Sequence, residues 1–245
     1  MIKLHSIPTG PPAQLSRDDI EKETKDLAER FGALQRKLYA GKEYAVLILF
    51  QGMDASGKDG ASKHAFADCH PQGVNIFSFK KPTEEELSHD FLWRVHKVVP
   101  PKGMIHVFNR SHYEDILIQR VHGWIDEQTV TKRMQAINAF EELLAADNQT
   151  LIFKFYLHIS FEQQAIELQE RLDEPDKHWK HNPNDWKERE HWEQYMAAYE
   201  YAINESRIPW VITPVDKRWY RNYIVLKTLV EKLEGLNMAY PPLPL

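Results

Sequence analysis

The chain has 245 residues, a formal net charge of −5, 42% hydrophobic and 27% charged residues. That length fits one α/β domain over residues 1–245, and the mild acidity argues against a nucleic-acid binder while leaving room for a local basic groove. Cys69 is the only cysteine, which excludes an intramolecular disulfide or a Cys-rich zinc site and fits a reducing cytosol.

In chain order, Met1 to Pro12 is polar and proline-containing and has no apolar leader pattern, so a cytoplasmic protein is expected. Ser16 to Tyr39 reads as a helix: Ser16 is placed to cap it, Asp18, Asp19 and Glu21 favour its positive end, and Leu27, Phe31, Leu34 and Leu38 form an apolar stripe. The period then changes. Tyr44 to Phe50 is a continuous apolar run, as in a strand buried on both faces, and it is too short to cross a bilayer, so no membrane partner is expected. Further strands are predicted at Val74–Phe79, Met104–Phe108, Thr150–Leu157 and Trp210–Thr213. Helices are predicted at Lys58–Asp68, Glu84–Val95, Tyr113–Val121, Asp126–Ala146, Phe161–Leu172 and Trp219–Leu233. Strands alternating with helices imply an α/β fold with a mostly parallel sheet flanked by helices on both faces. Arg171 to His191 breaks the pattern, being almost wholly charged, aromatic and proline-containing. It is read as a lid over an anionic site. Tyr240 to Leu245 is a proline-rich surface tail.

The first strand leads into Gly52-Met53-Asp54-Ala55-Ser56-Gly57-Lys58-Asp59-Gly60. This meets the phosphate-loop pattern through Lys58. Glycines let the backbone curl so that several N–H groups face a phosphate, and the following helix adds its positive end. Gly52, Ala55, Ser56, Gly57, Lys58, Asp59 and Gly60 are therefore the candidate phosphate cradle. The usual hydroxyl residue after the lysine is replaced by Asp59, and Asp54 lies inside the loop. A carboxylate beside phosphate is repulsive without a cation, so the pair points to magnesium held by carboxylates. A second cluster, Asn109-Arg110-Ser111-His112-Tyr113-Glu114-Asp115, follows the third strand. In an open parallel sheet ligands bind beyond the carboxyl ends of the strands, so Arg110 is expected at the same phosphates as Lys58. Asn109, Glu114 and Asp115 are the candidates for holding metal, and His112 is read as a hydrogen-bonding scaffold. Lys80, Lys81, Arg94 and Lys97 surround the second strand and the helix after it, a set suited to line a channel for a long anion.

The phosphate loop, Phe79-Lys80-Lys81-Pro82-Thr83-Glu84-Glu85-Glu86-Leu87 with His89-Asp90-Phe91-Leu92-Trp93-Arg94, the Asn109–Asp115 cluster and Trp179-Lys180 together resemble the family-2 polyphosphate kinases. The resemblance implies a thymidylate-kinase-like P-loop fold with a helical lid at about 171–191. It implies phosphoryl transfer between inorganic polyphosphate and nucleotides. The expected ligands are AMP, ADP and ATP, with GMP and GDP as further acceptors, and magnesium, with manganese as its substitute. Many relatives carry Asp where this chain has Asn109, and the Asn form resembles the subgroup acting on both AMP and ADP; Asp115, with Glu114 next, is the candidate for the second metal-holding carboxylate. Carried over residue by residue, Asp54 holds the metal, Lys58 and Arg110 neutralise the phosphoryl group in flight, and Arg171 and Lys180 close over the acceptor. Relatives are commonly dimers or tetramers, so a homo-oligomer is expected. Two other readings compete: an ATP-dependent nucleotide kinase, against which Asp59 and the basic set near Lys80 argue, and a non-catalytic nucleotide-binding switch, which needs no lid cations.

Overall fold

The computed structural model describes residues 1–243. Five strands, β1 (Ala45–Gln51), β2 (Val74–Ser78), β3 (Ile105–Asn109), β4 (Thr150–His158) and β5 (Trp210–Pro214), form one parallel sheet in the order β2-β3-β1-β4-β5. All seven residues of β1 are buried, because helices cover both faces of a parallel sheet. The registers Phe50↔Asn109 and Phe50↔Phe155 align the carboxyl ends of β1, β3 and β4. The loops leaving those ends therefore meet at one edge.

The helices are α1 (Arg17–Gly41), α2 (Lys58–Ala65), α3 (Glu84–Leu87), α4 (Trp93–His96), α5 (Ile118–Val121), α6 (Glu127–Asp147), α7 (Phe161–Asp173), α8 (Asn184–Glu188), α9 (Trp192–Glu205) and α10 (Arg218–Glu234). Ser16 caps α1 by accepting from the Asp19 N–H, and Leu27, Phe31 and Leu38 of its stripe are buried where α1 packs along α10. The N-terminal segment is anchored too: Leu4 is fully buried and its N–H donates to Glu200.

Two predicted helices differ, and one helix is present that was not predicted. The single helix expected over Glu84–Val95 is two short helices, α3 and α4, because Asp90 Oδ1 and the Ser88 hydroxyl bond nearby backbone groups and compete with the helical ladder. The helix expected over Tyr113–Val121 is a 3-10 turn, His112–Asp115, followed by α5. The buried His112 and Tyr113 side chains and the Ser111 cap hold that turn tight. Helix α9 has no counterpart among the predicted elements. Its Met196, Tyr199, Ala202 and Ile203 are buried, and its polar start hid that face within the charged stretch before it. The Arg171–His191 excursion is itself ordered into the end of α7, a 3-10 turn at Pro175–Lys180, α8 and a 3-10 turn at Arg189–His191. Pro175 cannot continue α7 and ends it. Of the predicted surface tail, residues 240–243 are exposed and the last two lie outside the described residues.

Candidate active site

Strand β1 ends at Gln51, the backbone turns through Gly52 to Gly57, and α2 begins at Lys58. Gly52 adopts φ +152°, and a Cβ there would lie 2.7 Å from the Leu157 carbonyl oxygen. Gly57, at φ +88°, presses against the Arg221 guanidinium. The first turn of α2 turns N–H groups with no intrahelical partner toward the same concavity. This loop, at the carboxyl end of the central strand of a parallel sheet, makes the architecture a P-loop kinase fold.

The Lys58 ammonium donates to the carbonyls of Gly52 at 2.8 Å and Met53 at 3.0 Å. Burial, with the positive charge of Arg110, pulls its pKa down to about 8. Arg110 leaves β3 with φ +61°, unusual for a non-glycine residue, and its N–H donates to Phe50 O. That backbone turn aims its guanidinium at Asp54, with which it forms an ion pair. Burial alone raises the Asp54 carboxyl, yet Arg110, Lys58 and Arg171 outweigh it and hold the group below its ordinary value. Asp54 in turn raises the Arg110 pKa. The cluster thus stays ionised at neutral pH.

These side chains line a cavity of about 700 Å³. Lys80 and Lys81 line it, as do Arg171, Lys177 and Lys180, from the end of α7 and the following 3-10 turn, and Arg218 and Arg221 of α10. Arg171 donates to Asp185 at 2.6 Å, and Lys180 reaches Asp59 at 3.4 Å. Burial and the charge of Asp54 raise the Asp185 carboxyl against the pull of Arg171.

Whether the site suits a divalent cation can be asked of its oxygens. Among the described residues no three acidic or histidine side chains converge as a closed metal cage. Magnesium typically takes one or two carboxylates and completes its shell with water and phosphate oxygens, and the site fits that mode. Asp54 is ionised, Glu114 accepts from the Gln51 amide at 3.1 Å, and both carboxylates act electrostatically on Lys58 and Arg110. The buried Gln51 Oε1 and Ser56 Oγ have no hydrogen-bond partner, which marks the loop as built around a further polar group.

The family model for polyphosphate kinase 2 matches residues 14–241, nearly the whole chain. The chain belongs to the polyphosphate kinase 2 family. It is 49% identical over 218 residues to an AMP/ADP-polyphosphate phosphotransferase of Meiothermus ruber, covering 88% of this chain and 81% of that one. It is 40% identical over 245 residues to an ADP-polyphosphate phosphotransferase of Rhodopseudomonas palustris, covering 94% and 84%. The crystal structure of polyphosphate kinase 2 from Arthrobacter aurescens TC1 superposes with a TM-score of 0.95 at 39% identity, covering all of this chain and 89% of that one.

Within this polyphosphate kinase 2 chain, four sequence candidates are placed differently from their expected roles. Asp115 does not line the cavity: Oδ1 accepts from Gln119 at 2.6 Å and Oδ2 faces Arg94 at 3.5 Å. Asn109 does line it, but its Oδ1 accepts from the Ser62 hydroxyl at 2.9 Å and its amide donates to Asp59 at 3.3 Å. It is a strut between β3 and α2, with its oxygen already engaged. Glu114 does not line the cavity either, but its carboxylate acts on Lys58 and Arg110, so of the second cluster it is left as the metal candidate. Arg94 is buried and donates to the Lys80 carbonyl, away from the cavity lining. Lys97 stacks its ammonium on the Trp93 ring. His112 is fully buried and bonded to Glu141 at 3.2 Å, the scaffold role read from sequence.

The sequence reading missed Arg221, Glu167, Glu170 and Asp185, all on the cavity wall. Asp216 accepts from the Ser160 N–H and the Thr9 hydroxyl. Only the spacing Arg218–Arg221, one helical turn, signals a shared face.

Proposed function

We propose that this enzyme moves a phosphoryl group from inorganic polyphosphate to nucleoside mono- and diphosphates, AMP to ADP and ADP to ATP, reversibly and with magnesium. The observation that carries the reading is one cavity lined together by the phosphate loop, Arg110, Lys80, Lys81, Arg171 and Lys180. Two polyanions meeting head to tail need that distribution of cations. The polyphosphate phosphotransferases of Meiothermus ruber and Rhodopseudomonas palustris, to which the chain is similar, support it.

The chemistry asks mainly for positioning and charge. An acceptor phosphate oxygen, already anionic, attacks the terminal phosphorus of the chain. The P–O anhydride bond breaks, and the shortened polyphosphate leaves with the electron pair. The transition state spreads negative charge over the equatorial oxygens. Lys58, its ammonium restored by that charge, and Arg110 are placed to neutralise it. Asp54 and Glu114 are the residues to hold magnesium, which supplies charge neutralisation at the bridging oxygens when bound. Manganese serves the same donor set. No general base is needed, in keeping with the burial of His112.

Residues 171–191 act as a lid, supported by their three cations on the cavity wall, Arg171, Lys177 and Lys180, and their attachment through the Lys180–Asp59 contact. A single working domain and a homodimer or homotetramer belong to the same proposal and rest on the family resemblance. No described helix is long and apolar enough to cross a membrane. A cytosolic setting is proposed from the lone Cys69, whose thiol burial pushes up to about 12 and keeps inert.

The test incubates the protein with long-chain polyphosphate, magnesium and AMP or ADP, without ATP, and follows nucleotides by chromatography. New ADP from AMP and new ATP from ADP are expected, both lost on chelation and restored by magnesium. Absence of product under all these conditions overturns the proposal. Accumulation of ADP with no ATP removes only the dual specificity.

A further inference from the structure

Lys80 and Lys81 follow β2, an edge strand whose only sheet neighbour is β3. Just before them the Phe79 N–H donates to the Asn109 carbonyl at 3.2 Å. One buried side chain takes hold of the peptide between them: Arg94 of α4, its side chain 8% exposed, donates to the Lys80 carbonyl at 2.9 Å. The same guanidinium lies 5.3 Å from the centroid of the Phe79 ring, which meets Phe108 of β3 edge-on at 4.9 Å. Its other terminal nitrogen faces Asp115, 3.5 Å away and itself buried. Asp115 closes the 3-10 turn that follows Arg110 and carries Glu114. That turn is rooted in turn by Arg133 of α6, which donates to the Asp115 carbonyl at 2.8 Å.

We propose that Arg94 is a positioning residue: it locks the Lys80–Lys81 segment to the turn that follows Arg110, so that these lysines and Arg110 keep a fixed separation. The physical ground is the form of the group. Burying an Arg–Asp pair costs desolvation that a well-packed hydrophobic side chain avoids, so the pair is weak as a source of stability. A guanidinium supplies something else, a rigid planar fork that holds two acceptors at once. Here one acceptor belongs to the Lys80–Lys81 segment and the other to the turn that follows Arg110. Phosphates held by both depend on their spacing, and misplacement on the order of 1 Å costs up to about a hundredfold in rate. Asp115 is accordingly the anchor of the fork, which accounts for its absence from the cavity lining.

The inference rests on the reading that Lys80 and Lys81 take substrate phosphates, and kinetics separates the two. In Arg94→Met, KM for polyphosphate is expected to rise about tenfold or more, with KM for ADP little changed. Arg94→Lys should not restore it, since an ammonium on a shorter reach holds one acceptor and releases the other. Asp115→Asn, milder in shape, should shift the same KM in the same direction and covers the case in which Arg94→Met fails to fold. Circular dichroism monitors folding throughout. The decisive comparison is with Lys80→Ala/Lys81→Ala: that variant should raise the same KM, and adding Arg94→Met to it should add nothing. An additional full-sized rise in the combined variant, or a folded Arg94→Lys and Asp115→Asn with unchanged KM, overturns the positioning role. A wild-type KM in Lys80→Ala/Lys81→Ala overturns it as well, while continued polyphosphate-dependent transfer in that variant leaves the proposed activity standing.

Discussion

The Lys58 ammonium sits among carbonyls and beside Arg110, and its pKa of about 8 is set chiefly by burial. The free enzyme therefore loses the proton that neutralises phosphate as pH rises through about 8. A falling alkaline limb in kcat/KM near that value is expected, with the limb in kcat displaced upward because bound phosphates favour the ammonium. Measurement of both profiles against polyphosphate decides it; a kcat/KM flat to pH 9.5 would contradict the assignment. The same shift has a stability consequence of opposite sense. The folded state binds fewer protons than the unfolded state between about 8 and the ordinary lysine value of 10.5, so this group adds stability as pH rises through that window. Lys58 and Arg110 were legible in the sequence because each lies beside a strand end. Arg94 was legible as a residue of interest and misread in role, since a pattern of letters does not tell a guanidinium facing substrate from one facing a peptide carbonyl.

At the scale of elements, the phosphate loop depends on backbone conformations that few residues adopt. Gly57 combines φ +88° with the Arg221 guanidinium where a side chain would stand. Gly57→Ala should lose about 1–3 kcal/mol in urea unfolding and most of the transfer activity, since the loop and α2 must separate from α10. Full activity with unchanged stability would show that the loop tolerates a different path. The strand–loop–helix unit was readable because its period changes abruptly from an apolar run to a glycine-rich turn. The 3-10 turn after Arg110 was not. Its sequence scores as a helix start, and the alternative is selected by side chains buried against Glu141 and Lys154, residues about 30 to 40 positions later in the chain.

Across the whole molecule, that anchoring runs through the core. Lys154 of β4 is fully buried and donates to Glu141 of α6 and to the Tyr113 hydroxyl, each at 2.7 Å. Glu141 also faces His112. Lys154→Met leaves the Glu141 charge buried without its ammonium and should cost about 3–5 kcal/mol. Adding Glu141→Gln removes that charge and should recover much of the loss, measured by thermal or denaturant unfolding. If the double variant is no more stable than the single one, the cost lies in packing and not in charge.

The sequence by itself determined the α/β class, the strand that carries the phosphate loop, the two clusters at strand ends and the resemblance to family-2 polyphosphate kinases. Each of these is written in local period or in contiguous residues. Packing set the rest: Asp115 is engaged by Gln119 and Arg94, Asn109 bridges β3 and α2, Arg94 faces the Lys80 carbonyl and Arg221 backs the loop. Those outcomes depend on which partners the order β2-β3-β1-β4-β5 brings together, and a side chain's partner across the sheet is fixed by packing, not by its neighbours in the chain.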